Sequence, residues 1–105
     1  MKLKYTPQAI DDLQEIRQYI RYELHNPQAA ERLMKTILDA CSHLKNFPLM
    51  GSSLSAKTGY ETDLRILLCA GHIAVYHVQE TTVSIARIFS SKQDYIHLLF
   101  GELEE

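Results

Sequence analysis

The sequence predicts an α+β fold: an N-terminal strand, an α-helical hairpin, then a three-stranded antiparallel meander that completes one sheet, with a short C-terminal helix or tail. Two observations carry this. Thr6-Pro7 and Asn26-Pro27 are both cap-then-proline helix starts. Thr and Asn side chains accept hydrogen bonds from the orphan amides of a first turn, and proline's fixed φ and missing amide suit the first helical position. Three short runs rich in Ile, Val, Leu and Tyr then follow, at residues 63–69, His72–Gln79 and Thr82–Ser90. Only Ala70-Gly71 and Glu80-Thr81 separate them, breaks that fit hairpins and are too short for crossovers.

Taken in order, residues 2–5 alternate Leu3 and Tyr5 with lysines and read as a strand. The first helix is expected over 7–25, because Ile10, Leu13, Ile16, Ile20 and Leu24 recur at spacings of three and four and make one apolar stripe. Asp11, Gln14, Gln18 and Arg21 occupy the other, solvated side. The second helix, expected over 27–46, carries Ala29, Leu33, Ile37, Cys41 and Leu44, with Met34, Leu38 and Ala40 widening the stripe. Almost no loop separates the two, so they must turn back on one another as a hairpin packed on one face of a four-stranded sheet. Pro48 ends the second helix by pushing its predecessor out of the helical region. Residues 49–59 shift to Gly, Ser, Thr and Lys and read as the one long loop.

Within the sheet, Leu64, Ile66 and Leu68 share one face of the first meander strand, while Leu67 sits with Arg65 on the other. The pattern predicts a sheet covered on one face and partly occupied on the other. Simple alternation puts Arg87 on the face of Val83, Ile85 and Phe89, where pairing with an acid such as Asp12 is one role open to it. Tyr76 reads as core. Residues 93–100 form the terminal helix or packed tail.

At 105 residues and 46% hydrophobic, the chain can bury one core, so a single domain spanning 1–105 is expected. The polar, amphipathic N-terminal stretch differs from a secretory signal, and no run reaches the roughly 18 apolar residues of a membrane span. The two cysteines, Cys41 and Cys69, make neither a disulfide framework nor a zinc spacing, which points to a reducing cytoplasm. Net charge is −2, but Glu102, Glu104 and Glu105 supply three of the thirteen acids. The remaining body is nearly neutral, which argues against nucleic-acid binding by bulk electrostatics. Of the five histidines, His72 and His77 lie on opposite faces of one strand and His25, His43 and His97 are isolated, so neither a metal site nor a cofactor is expected.

A resemblance emerges from pieces taken together: Ala9-x-x-Asp12-Leu13-x-x-Ile16-x-x-Tyr19-Ile20, Asn26-Pro27-x-Ala29-Ala30, Phe47-Pro48-x-x-Gly51, Arg65, Val75-Tyr76, Ile85-x-Arg87-Ile88 and Gln93-Asp94-Tyr95. In this order and at these intervals the chain resembles the RelE/ParE superfamily of bacterial toxins over nearly its whole length. The resemblance implies the toxin half of a type II toxin-antitoxin pair, neutralised by a cognate antitoxin protein wrapped around it and reaching operator DNA only through that partner. It also implies one of two targets: messenger RNA in the ribosome, cleaved without a metal, or DNA gyrase, inhibited by binding. A toxin-like module that has lost activity and only pairs with its antitoxin is the third reading.

Metal-free RNA cleavage by 2′-hydroxyl attack needs a base for that hydroxyl, cations for the phosphorane charge and an acid for the leaving oxygen. By comparison with RelE-like nucleases, Arg65, Arg87 and Lys92 are the candidate cations of such a site, while His97 or Tyr95 near the C-terminus and His72 beside the turn are candidates, from their place in the chain alone, for acid or base work. Where RelE-like nucleases carry an arginine after the Gly71 turn, this chain has Ile73, and the helical signatures and Phe-Pro-x-x-Gly turn are closer to ParE-like toxins.

Overall fold

The computed structural model describes residues 1–101, so the terminal glutamates lie outside it. The chain runs β1 (Lys2–Tyr5), α1 (Pro7–Gln18), a π-helical turn (Tyr19–Glu23), α2 (Pro27–Ser42), a 3-10 turn (His43–Lys45), β2 (Ser52–Ser53), α3 (Leu54–Thr58), β3 (Arg65–Cys69), β4 (His72–Gln79), β5 (Thr82–Ser90) and α4 (Tyr95–Phe100). Both helix starts form as the sequence predicts. Thr6 Oγ1 accepts from the Ala9 amide at 3.1 Å and also donates to Ala86 O at 2.9 Å, tying the cap to the sheet. Asn26 Oδ1 accepts from the Ala29 amide at 3.1 Å.

The sheet has five strands in the order β1-β5-β4-β3-β2, one more than expected. The extra strand is the two-residue β2, cut from the 49–59 loop and paired with Ile66 and Arg65. Serine and glycine composition hid it. The meander is antiparallel, and β1 lies parallel to β5 with Leu3 opposite Val83 and Tyr5 opposite Ile85. Ala70 and Gly71 both take positive φ at the β3–β4 hairpin, the backbone that matches strand twist across a two-residue turn.

One face of the sheet carries the helical hairpin. Ala9, Ile37, Cys41 and Leu44 pack there on Leu67, Cys69, Ala74, Tyr76, Val83, Ile85 and Ile88. The first helix is shorter than the expected 7–25, because regular α-helix stops at Gln18 and winds into the π turn. A wider turn rotates the residues beyond it, and Leu24, counted in the apolar stripe, ends 56% exposed. Ile10 is exposed too. Ala9, with no bulk beyond Cβ, is instead fully buried against the sheet. The second helix gives way to the 3-10 turn before Asn46.

The opposite face is also covered. Leu54 of α3 and Phe100 of α4 pack with Ile66, Ile73, Val75 and Phe89, and the Tyr60 ring stacks on Phe100 with centroids 4.7 Å apart. A β-bulge between Val75 and Tyr76 makes Ile85 pair with Tyr76 and Arg87 with Val75, leaving Ala86 as the extra residue. This corrects the simple alternation. Val83 and Ile85 face the hairpin, whereas Phe89 belongs to the opposite cluster, and Arg87 goes with Phe89. Among the described residues no helix is long and apolar enough to cross a membrane.

Candidate functional site

The segment between α2 and β2 is held from beneath by two strand residues. Tyr76, fully buried on the central strand β4, sends its hydroxyl out of the core to donate to Pro48 O at 2.8 Å and accept from the Gly51 amide at 3.0 Å. Arg65, its cross-strand partner on β3, donates through Nη2 to Gly51 O at 2.6 Å and Leu49 O at 3.2 Å. Its Nε is buried with no hydrogen-bond partner. Gly51 is required by space: a Cβ there would collide with Ile66 O and sit 2.7 Å from the Tyr76 hydroxyl. While the backbone is pinned, the side chains of Phe47, Leu49 and Met50 stand 64%, 68% and 47% exposed.

Arg87 is engaged at the opposite edge of the sheet. Beyond Tyr5 the chain leaves β5 to enter α1, so the outer edge of β5 needs another partner. Asp12 supplies it: Oδ2 accepts from the Ile88 amide at 2.9 Å and from Arg87 Nε at 2.8 Å, and Oδ1 accepts from Arg87 Nη2 at 3.0 Å. The Asp12 hydrogen bonds raise the Arg87 pKa above its ordinary value, and the guanidinium carbon lies 4.7 Å from the Phe89 ring centroid. A forked, two-point carboxylate pairing of this kind fixes geometry as well as charge.

Lys92 sits in the turn after β5, where its amide donates to Ser90 Oγ at 3.2 Å and Gln93 Oε1 accepts from the Ser90 amide at 2.8 Å. Its side chain is exposed. His97 is on α4, its amide capped by Asp94 Oδ1 at 3.1 Å, with Gly101 close beside its ring. His72 Nδ1 lies 3.1 Å from Ala70 O, and Tyr95 packs on the Phe100 side of the sheet. Arg65 and Arg87 register to adjacent levels of β4, through Tyr76 and Val75. Those two positions face opposite sides, so the two guanidiniums diverge.

A second titratable cluster lies under the hairpin, where Cys41 and Cys69 are both buried and free. The hydrogen bond between the thiols, together with burial, pushes Cys41 up, and the same bond lowers Cys69. Burial pushes the neighbouring Tyr5 phenol up.

Sequence reasoning placed Tyr76 in the core and missed its clamp, because only the tertiary structure brings Pro48 and Gly51 over its ring. The exposed apolar run was legible in principle: Phe47-Pro48-Leu49-Met50 is apolar and begins where Pro48 pushes its predecessor out of the helical region.

A family model described as "ParE toxin of type II toxin-antitoxin system, parDE" matches residues 3–95. Among solved structures, the chain is similar to one from the chromosomal ParDE TA system of P. aeruginosa, at 23% identity and a TM-score of 0.72, covering 86% of this chain and 95% of that one. It is also similar to a YoeB/ParE toxin from Agrobacterium tumefaciens, at 20% identity and a TM-score of 0.56, covering 86% of this chain and 98% of that one. At these identities the structural matches speak for the fold. A search of curated protein sequences finds no significant match.

Proposed function

The chain belongs to the ParE toxin family of type II toxin-antitoxin systems, and from that membership we propose that it arrests growth by binding DNA gyrase in the cytoplasm, with a cognate antitoxin neutralising it. The observation that carries the choice of target is the arrangement of the cations. RNA cleavage needs them converging with an acid and a base on one surface. Here Arg87 is spent on Asp12, Arg65 holds backbone carbonyls on the other side of the sheet, and the face that Arg87 shares with Phe89 is filled by Leu54, Ile66, Ile73, Val75 and Phe100. An apolar, close-packed face is poor ground for a dianionic phosphorane, because charge desolvated there has nothing to replace its water. A protein-binding toxin needs only a rigid scaffold and an exposed surface, and both are present.

Purified chain added to gyrase, ATP and relaxed plasmid should block supercoiling, and adding the antitoxin should restore it. Supercoiling at the full rate with a stoichiometric excess of folded chain would overturn the proposal. The nuclease reading keeps Arg65, Arg87, Lys92 and His97 as its residues, and a folded Arg65→Ala, Lys92→Ala double variant that remains fully toxic would remove its cationic half.

A further inference from the structure

We propose that the loop formed by Phe47, Pro48, Leu49 and Met50 is the surface with which this toxin grips its protein target, and that the matching segment of the target is acidic with large apolar side chains. The proposal rests on the reading of the chain as a protein-binding toxin and adds where and with what it binds.

Three observations converge on this loop. Phe47 at 64% and Leu49 at 68% are among the most exposed large apolar side chains of the described residues, and with Met50 they are near neighbours in the chain, which scattered surface leucines are not. Its backbone is fixed before any partner arrives. Tyr76 holds Pro48 O and the Gly51 amide, Arg65 holds Leu49 O and Gly51 O, and the Met50 amide donates to Phe47 O at 3.1 Å. A buried tyrosine and a strand arginine are thus used to order a loop that buries little itself. Ordering in advance lowers the entropic cost of association, so the apolar side chains act as rigid anchors.

The third observation is charge. Residues 40–60 contain no Asp or Glu, the longest such stretch of the sequence, and within it Lys45 lies two residues before the loop while Lys57 follows on α3. The Arg65 guanidinium lies directly beneath Leu49. An apolar cluster on an acid-free stretch of chain, with the Arg65 guanidinium against its backbone, complements an acidic partner and repels a basic one. Charged rims chiefly change the association rate and are screened by salt, whereas the central apolar anchors set the dissociation rate.

The test compares wild type with a Phe47→Ala, Leu49→Ser, Met50→Ser triple variant and with Lys45→Glu. Each is measured for growth arrest in cells, gyrase supercoiling, affinity for the antitoxin and thermal melting. The triple variant is expected to melt like wild type, bind the antitoxin unchanged, and lose at least tenfold in gyrase inhibition together with growth arrest. Lys45→Glu is expected to slow association with gyrase, with the difference from wild type shrinking as salt is raised. A folded triple variant that still arrests growth overturns the proposal, and so does one whose only loss is antitoxin affinity or self-association. Wild type that arrests growth without touching gyrase would overturn the choice of target alone, and the triple variant's growth phenotype would still decide the loop.

Discussion

Arg87 and Asp12 show how much of one residue's role depends on neighbours far away in sequence. The Asp12 carboxylate, only 12% exposed, accepts from Arg87 and from the Ile88 amide. Deleting Arg87 leaves a largely buried charge with one donor. Arg87→Ala should therefore lower stability by about 1–3 kcal/mol, below the cost of stripping a fully buried pair because the arginine is 30% exposed. Urea or thermal melts check this, and an Arg87→Ala variant as stable as wild type would contradict it. The sequence allowed an Asp12 pairing but put Arg87 on the wrong strand face, since a bulge leaves no mark in the alternation of apolar residues. The buried phenol gives a pH prediction. A raised pKa in the folded chain means that stability is fully present below the unfolded value and lost as pH rises toward the folded one. The Tyr5 phenol is pushed up, whereas the coupled thiols of Cys41 and Cys69 shift in opposite directions and offset each other, so melting temperature should begin to fall as pH climbs past the phenol's ordinary value of 10.0. Tyr5→Phe should flatten the upper part of that decline, measured by melts over an alkaline series.

At the scale of elements, the Tyr76 clamp predicts that the 47–51 loop is more rigid than its exposure implies. Tyr76→Phe removes two hydrogen bonds and leaves the Gly51 amide and Pro48 carbonyl without that partner. It should destabilise the fold by about 1–3 kcal/mol and speed hydrogen exchange at the Gly51 amide. Gly51→Ala should do more damage, since the collision is with the backbone of β3. The β3–β4 hairpin offers the opposite case: Ala70 sits at φ 51, a conformation that disfavours a Cβ by about 1–2 kcal/mol. Ala70→Asn should raise the melting temperature. The helix starts and the three meander strands were legible because capping and hairpin chemistry are local. The π turn at Tyr19–Glu23 and the short β2 were not, because each depends on what the segment packs against and neither has a periodicity of its own.

The whole molecule is a ParE-family chain whose sheet is covered on both faces: the helical hairpin on one, α3 and α4 on the other. Its scaffold was readable from spacing, whereas the surface proposed to meet its target was readable only in part: the apolar run stands in the sequence, but the exposure of Phe47, Leu49 and Met50 is a property of the folded chain. Antitoxin co-expression should restore growth to cells that the chain alone arrests, and a chain that is soluble yet harmless would point to a lost activity. The claim that matters most is that arrest comes from binding a protein and not from cutting RNA. Mapping the 5′ ends of messenger RNA in cells arrested by the chain without its antitoxin tests it most directly. Arrest is expected with no new ends within open reading frames relative to cells arrested by a gyrase inhibitor. New ends recurring at the codon held in the ribosomal A site would contradict it and return Arg65, Arg87, Lys92 and His97 to the centre of the mechanism.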